Sequence, residues 1–423
     1  MVIKMKKTKL GKIIKKVYDK INSKEFLEVS KMKEKDFTRN RKMDFPKLMI
    51  FILSGTKKSL QSALFAFNSR FKFENGTYSK QAFSKARKKI NPSAFFSLFK
   101  ESVEMFYKDS DYKRFHGYRV MAIDGTKYNL PNNTEMKEVY GYQKSTNEQT
   151  QALGSCLYDV LNGIVMDALI APFNANERTL AKLHIEELSK IKTSKDLLLM
   201  DRGYPSADLI TFIESKNIKY IMRCSNQFIK GMKITDSDCV ITHKFAKSNS
   251  VKIRVISFPI SKDENEILIT NIFDKNFTIE NFAELYHMRW NIEEKYDDLK
   301  NKLEIENFSG NSNIAVLQDF YATMFLNNIA SIMALDCEDE IKEHCKTNQL
   351  KYEYKANISL TISMMKFRLI DMFTLKSQPK RNKILDNIYH QLLISVTPVR
   401  PNRTFARNKK HKSQKFPSNR KSL

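Results

Sequence analysis

YRVMAIDGT, residues 118–126, is a run of strand-forming residues that closes on an acid and a glycine. Val120, Met121, Ala122 and Ile123 are apolar without interruption, as in a strand buried on both faces, and Gly125 signals a turn out of it. LLLMDRGYPS, residues 197–206, has the same form, with four apolar residues, then Asp201, then a loop containing glycine and proline. Around these runs the pattern predicts three antiparallel strands at 118–123, 152–160 and 164–171, with Asn162-Gly163 as the hairpin turn of the last pair. Helices over 177–189 and 207–216 then alternate with strands at 197–200 and 219–223. The expected fold is α/β, a mixed five-stranded sheet with flanking helices in which the strands bearing Asp124 and Asp201 are adjacent. Both acids are expected where a strand turns into a loop, the place where such sheets carry chemistry.

Outside this block the periodicity is helical. Residues 1–115 read as an N-terminal helical region with clear segments at 45–53, 60–67 and 80–90, and residues 311–397 read as a C-terminal one with segments at 315–335, 358–373 and 382–394. Between about 224 and 272 lies a β insertion with runs at 239–244, 251–259 and 266–272. The α/β domain is thus expected over 116–310. Residues 398–423 form a basic tail, free of acids from Arg400 to Lys421, that reads as disordered. No internal repeat is present.

A third acid sits in ELYHMRWNIEEKYDDLK, residues 284–300, which contains no proline or glycine. On an unbroken helix Tyr286, Arg289, Glu293 and Lys300 fall within roughly 60° of one another. A second stripe, Leu285, Ile292, Tyr296, Leu299 and Leu303, would anchor the helix on a core. One carboxylate among two cations and a phenol suits a helix that grips a polyanion while one acid does chemistry. Asp297 shares the face of Glu293 four residues on, and Trp290 lies close enough to stack on a displaced base.

Asp124, Asp201 and Glu293 come from three separate elements, with no cluster of His and Cys beside them. Such a set offers hard oxygen ligands, suited to Mg²⁺ or Mn²⁺ rather than zinc. Two such ions can activate a water or a 3′-hydroxyl and stabilise the departing oxygen of a phosphodiester, which points to phosphoryl transfer on nucleic acid.

MAIDGTKYNLP around Asp124, LLLMDRGYPS around Asp201, and the Y-x₂-R-x₃-E-x₆-K signature from Tyr286 to Lys300 together resemble the DDE transposases of the IS4 insertion-sequence group. The resemblance runs over about residues 80–330 and includes TNI at 270–272 and LKNKLEIENFSG at 299–310. It implies an RNase H-like catalytic core in which Asp124, Asp201 and Glu293 hold two Mg²⁺ ions, Mn²⁺ being able to substitute. Tyr286, Arg289 and Lys300 would contact phosphates of the element's ends. The implied activity is cut-and-paste DNA transposition at terminal inverted repeats, by hydrolysis and then strand transfer, with a homodimer in the DNA complex. Two alternatives keep the same residues: a domesticated, catalytically silent DNA-binding protein, and an RNase H-like nuclease without strand transfer.

A formal charge of +26 over 423 residues supports a double-stranded DNA partner independently. Within 77–89 a capped helix displays Lys80, Gln81, Ser84, Lys85, Arg87 and Lys88, and Arg87 and Lys88 are candidates for DNA contact. The five cysteines, odd in number and not in CxxC pairs, imply a reducing compartment and no zinc site. No apolar run reaches about 18 residues, and the N-terminus lacks a signal-peptide core, so no membrane is expected; the resemblance implies a bacterial protein, cytoplasmic and nucleoid-associated. His184, His243 and His287 show no ligand spacing.

Overall fold

The computed structural model describes residues 9–400 apart from 40, 56, 58, 72–77, 145–147, 192–194, 226–227, 229–235, 245–249 and 261–263. Nearly all of the basic tail, and Thr77 of the capped-helix segment, therefore lie outside the described residues. In chain order the elements begin with α1 (Lys9–Ile21), α2 (Lys24–Ser30), α3 (Phe45–Leu53), α4 (Leu60–Phe71), α5 (Lys80–Arg87) and α6 (Ser93–Tyr107). Next come β1 (Tyr118–Asn129), α7 (Thr134–Tyr140), β2 (Tyr142–Gln143), β3 (Gln149–Asp159), β4 (Ile164–Pro172), α8 (Glu177–Lys190), β5 (Lys195–Met200), α9 (Ala207–Ser215) and β6 (Lys219–Arg223). The insertion supplies β7 (Asp238–Lys244), β8 (Ser250–Pro259) and β9 (Asn265–Thr270), followed by α10 (Ile279–Met288), α11 (Trp290–Asp297) and a π-helical turn, Asp298–Lys302. The chain closes with α12 (Asn313–Asp336), α13 (Glu338–Thr347), β10 (Glu353–Ala356), α14 (Ile358–Thr374), α15 (Gln378–Ile394) and β11 (Val396–Val399).

These elements divide into two compact units, whose bounds differ from those the sequence suggested. The α/β unit comprises Asp111–Tyr128 and Ala152–Asp297. All the rest, including Asn129–Gln151 and everything from Asp298 onward, belongs to one helical unit. The N- and C-terminal helical regions are thus parts of a single core. The cause is α12, buried on every side from Ala315 to Met333, whose apolar surface is covered by α1, α3, α6 and α14.

In the α/β unit the strand order is β4-β3-β1-β5-β6-β9-β8-β7. The first five are the expected mixed sheet: β3 and β4 antiparallel, with β1, β5 and β6 parallel to one another. The expected β insertion forms an antiparallel meander that joins this sheet, because β9 pairs antiparallel with β6 and carries β8 and β7 onto it. Gly154 on β3 allows a close approach within this sheet, since a Cβ there would stand 2.1 Å from the ring of Tyr128.

The β1–β5 register matters most for function. Arg119 pairs directly with Asp196, and Ala122 with Leu199, so two residues further on Asp124 is level with Asp201. A one-residue slip would send one of the two acids to the opposite face. The Arg119–Asp196 pair opposes such a slip. Its contacts are bidentate, Nε to Oδ1 at 2.7 Å and Nη2 to Oδ2 at 3.0 Å, and Arg119 is fully buried.

Removing one partner of a buried pair leaves the other charge uncompensated. Asp196→Asn is expected to cost about 3–5 kcal/mol in urea unfolding. The double variant Arg119→Met with Asp196→Leu should recover most of that loss, and a single variant within about 0.5 kcal/mol of wild type would show that the pair does not hold the register.

Candidate active site

Asp124 and Asp201 reach the site by different routes. Asp201 directly follows β5, and its Oδ1 accepts the N–H of Gly203 at 2.8 Å. Asp124 does not end its strand, because β1 continues to Asn129. Its Oδ1 accepts the adjacent Gly125 N–H at 2.9 Å. Gly125 leaves room for Glu177 on the first turn of α8, since a Cβ there would lie 2.8 Å from its Oε1 and displace that carboxylate.

The Asp124 carboxyl is pushed up to about 7, first by burial and then by the charge of Asp201, against the pull of the Gly125 N–H and the Arg289 guanidinium. Glu177, which the sequence reading did not single out, is also raised, by partial burial and by Asp201. Its only signal was its place at the start of a helix facing the strand exits.

The glutamate helix is not the unbroken rod that its lack of proline and glycine suggested. α10 stops at Met288, α11 begins at Trp290, and the chain widens into the π-helical turn at Asp298. The apolar stripe is where it was expected: Leu285, Ile292, Leu299 and Leu303 are fully buried and Tyr296 is 6% exposed. The break falls on Arg289, whose buried guanidinium sits 3.0 Å from Glu293 Oε1 and 4.0 Å from Asp124 Oδ2. Arg289 thus bridges the third acid to the first. It also lies over the rings of Tyr286 and Trp290, at 5.7 and 5.4 Å from their centroids.

Tyr286 is 5% exposed, and neither its hydroxyl nor the Nε of Arg289 has a hydrogen-bond partner among the described residues. Two buried donors on neighbouring helical turns without acceptors are costly unless an acceptor arrives. Tyr204, fully buried in the loop after Asp201, likewise has no partner for its hydroxyl among the described residues, and burial and the charges of Asp124, Glu177 and Asp201 raise its pKa against the pull of Arg289. Trp290 is 42% exposed. Lys300 falls in the π-helical turn, which belongs to the helical unit, so the α/β unit by itself gathers Tyr286, Arg289 and Glu293 without it.

Two residues proposed to touch DNA from α5 have different fates. Lys88 caps the helix and is exposed. Arg87 corrects the sequence expectation, because it is 3% exposed and its guanidinium is committed to Asp319 at 2.8 Å, Gln318 at 2.9 Å and Ser309 at 2.6 Å. Phe83, four residues earlier and fully buried, shows why: Arg87 shares the inward face of α5. The outer face retains Lys80, Gln81, Ser84, Lys85 and Lys88, all exposed. Beside it opens a cleft of about 870 Å³ lined by Lys35, Arg39, Arg41, Lys42, Lys85 and Lys89, a cationic concavity that the sequence reading missed.

The donors suit a divalent cation in kind, since the burial and mutual repulsion of two carboxylates are what such an ion relieves. In this arrangement, however, no group of three His, Cys, Asp or Glu among the described residues is placed to hold a metal, and Glu293 is held by Arg289 instead.

An RNase H-like sheet with paired aspartates at adjacent strands and a glutamate on a following helix defines the class of DDE phosphoryl transferases. The chain belongs to the transposase DDE domain family, whose model matches residues 115–329, just over half of its length. Members of that family generally use divalent metals. The chain is also similar to the putative transposase InsZ of Escherichia coli (strain K12), at 25% identity over 148 residues, which is 32% of this chain and 46% of that protein. The match therefore spans less than half of that relative. Among solved structures it is similar in fold to the piggyBac transposase in a synaptic complex with hairpin DNA, with a TM-score of 0.50 and 11% identity over 90% of this chain and 85% of that one. No helix among the described residues is long and apolar enough to cross a membrane.

The raised pKa of Asp124 has a stability consequence with a definite sign. Between about pH 4, where a free Asp titrates, and about pH 7, the unfolded chain has lost a proton that the folded chain retains, so stability falls as pH rises through that window. Asp124→Asn is therefore expected to raise the melting temperature in chelator by several degrees at pH 7–8, with the gain closing as pH approaches 4. A gain that does not depend on pH would mean that Asp124 ionises normally.

Proposed function

We propose that the chain is a DNA transposase of an insertion sequence, of the IS4 group, that cuts and pastes its element by metal-dependent hydrolysis and strand transfer at terminal inverted repeats. The observation that carries this reading is the Arg289 junction, where one guanidinium faces Glu293 and Asp124 while its Nε and the Tyr286 hydroxyl find no acceptor among the described residues. A DNA phosphate supplies the missing acceptor oxygens. Once Arg289 turns to a phosphate, Glu293 is released to join Asp124 and Asp201.

Those three carboxylates would hold the divalent ions, two of them as Mg²⁺, with Mn²⁺ as a substitute. Bound there, the ions supply an activated water or 3′-hydroxyl and stabilisation of the departing oxygen. The chain's own residues do the remainder. Within the α/β unit, Arg289 and Tyr286 seat the scissile phosphate and the exposed Trp290 adds a stacking contact; the helical unit offers Lys300, Lys88 and the basic cleft beside α5 as further phosphate contacts. Arg87 has no part in this. The working form is a homodimer on paired ends, in the cytoplasm of a bacterium at the nucleoid. The formal charge of +26 favours this polyanionic substrate and makes its binding strongly salt-dependent.

Glu293→Gln should abolish strand cleavage at element ends while leaving end binding within about twofold, read by gel assay and filter binding. Wild-type cleavage by that variant would remove Glu293 from the site. Arg289→Ala should weaken end binding and lower the slope of log affinity against log salt by about one; an unchanged slope would place Arg289 away from the phosphates.

A further inference from the structure

Beneath the site, hydroxyl groups converge on the backbone of the first acid. The phenol of Tyr296 donates to the carbonyl oxygen of Asp124 at 2.5 Å and accepts the N–H of Cys156, on β3, at 3.1 Å. The hydroxyl of Ser155 approaches the same Asp124 carbonyl at 3.4 Å. Ser155 is in turn held by Nε2 of His184 at 3.0 Å, and Nδ1 of His184 faces Asp167 Oδ2 at 2.7 Å. Tyr296 lies three residues after Glu293, so one face of α11 presents the third acid and, a turn later, grips the main chain of the first.

Ser155, His184 and Asp167 are the residue types of a nucleophilic triad, in the right order of contact. They are 0%, 0% and 1% exposed, so no substrate reaches them. The chain of contacts ends on a backbone carbonyl and not at a cavity. A polar network buried this completely fixes geometry instead of doing chemistry.

We propose that Tyr296, supported by Ser155, His184 and Asp167, is a positioning clamp that fixes Asp124 relative to the Glu293 helix and thereby sets the spacing of the metal-holding carboxylates. None of these residues belongs to the Y-x₂-R-x₃-E-x₆-K signature, and none touches the reacting atoms. The inference rests on the transposase reading for its use but not for its geometry. Partners that orient metal-holding groups from behind typically alter metal affinity or activity by about 10–100-fold when removed.

The test uses the full chain bound to DNA bearing the element's ends, with Mn²⁺ binding followed by electron paramagnetic resonance and, separately, cleavage of that DNA. Tyr296→Phe keeps the ring and deletes the donor. It is expected to weaken Mn²⁺ binding by about 10-fold or more and to raise by a similar factor the metal concentration giving half-maximal cleavage, with end-DNA affinity within about twofold. Ser155→Ala should shift Mn²⁺ binding in the same direction by a smaller factor, and it carries the test alone if Tyr296→Phe does not fold. Mn²⁺ affinity equal to wild type in the folded variants overturns the clamp, even if melting temperature falls. Absence of cleavage by the wild-type chain would overturn the transposase reading while the Mn²⁺ comparison still decides the clamp.

Discussion

The buried, bidentate Arg119–Asp196 pair is the constraint from which the rest of the site follows. Hydrophobic burial alone would tolerate several registers of two apolar parallel strands, because Val120 to Ile123 and Leu197 to Met200 offer similar side chains at every position. A guanidinium and a carboxylate sealed between them tolerate one, since any slip strands two charges in the core. That register brings Asp124 level with Asp201 five residues later. There the charge of Asp201 adds to the cost of ionising the buried Asp124, and the surroundings respond with cations: Arg289 now and, in the reading developed above, metal ions during chemistry.

The glutamate helix supplies the third acid at a place where its own geometry is interrupted. The break at Arg289 and the π-helical turn after Asp297 flank Trp290–Asp297, the segment that holds Glu293 and Tyr296. π-turns cost hydrogen-bond quality and are found disproportionately at functional sites. Here the short segment between the two irregularities has two jobs. Glu293 faces Arg289 at the surface of the site, and Tyr296 reaches the Asp124 carbonyl behind it.

Most of the α/β architecture was legible because it is written in local patterns. The strands at 219–223 and 164–171 and the helices starting at Glu177 and Ala207 fall within a residue of their observed bounds, since burial periodicity and capping residues such as Asn176 and Ser206 operate over a few positions. The adjacency of the Asp124 and Asp201 strands followed from the order of elements. What local patterns did not carry was set by tertiary partners. Arg87 looked like an outward cation until Asp319, some 230 residues away in sequence, was seen to hold it. The sheet's extension depends on β9 finding β6, and the domain bounds on α12 drawing both ends of the chain into one core. His184 showed no ligand spacing because its partners are structural, and Glu177 enters through its approach to Gly125 and to the two aspartates, which is set by the fold.

The central claim is that Arg289 exchanges Glu293 for a DNA phosphate so that three carboxylates can share divalent ions. Anomalous scattering from Mn²⁺ in crystals of the chain bound to element-end DNA tests it directly. The account predicts Mn²⁺ ligated by Asp124, Asp201 and Glu293 together, with the Arg289 guanidinium on a phosphate. Mn²⁺ bound by the two aspartates while Glu293 remains paired with Arg289 would contradict it.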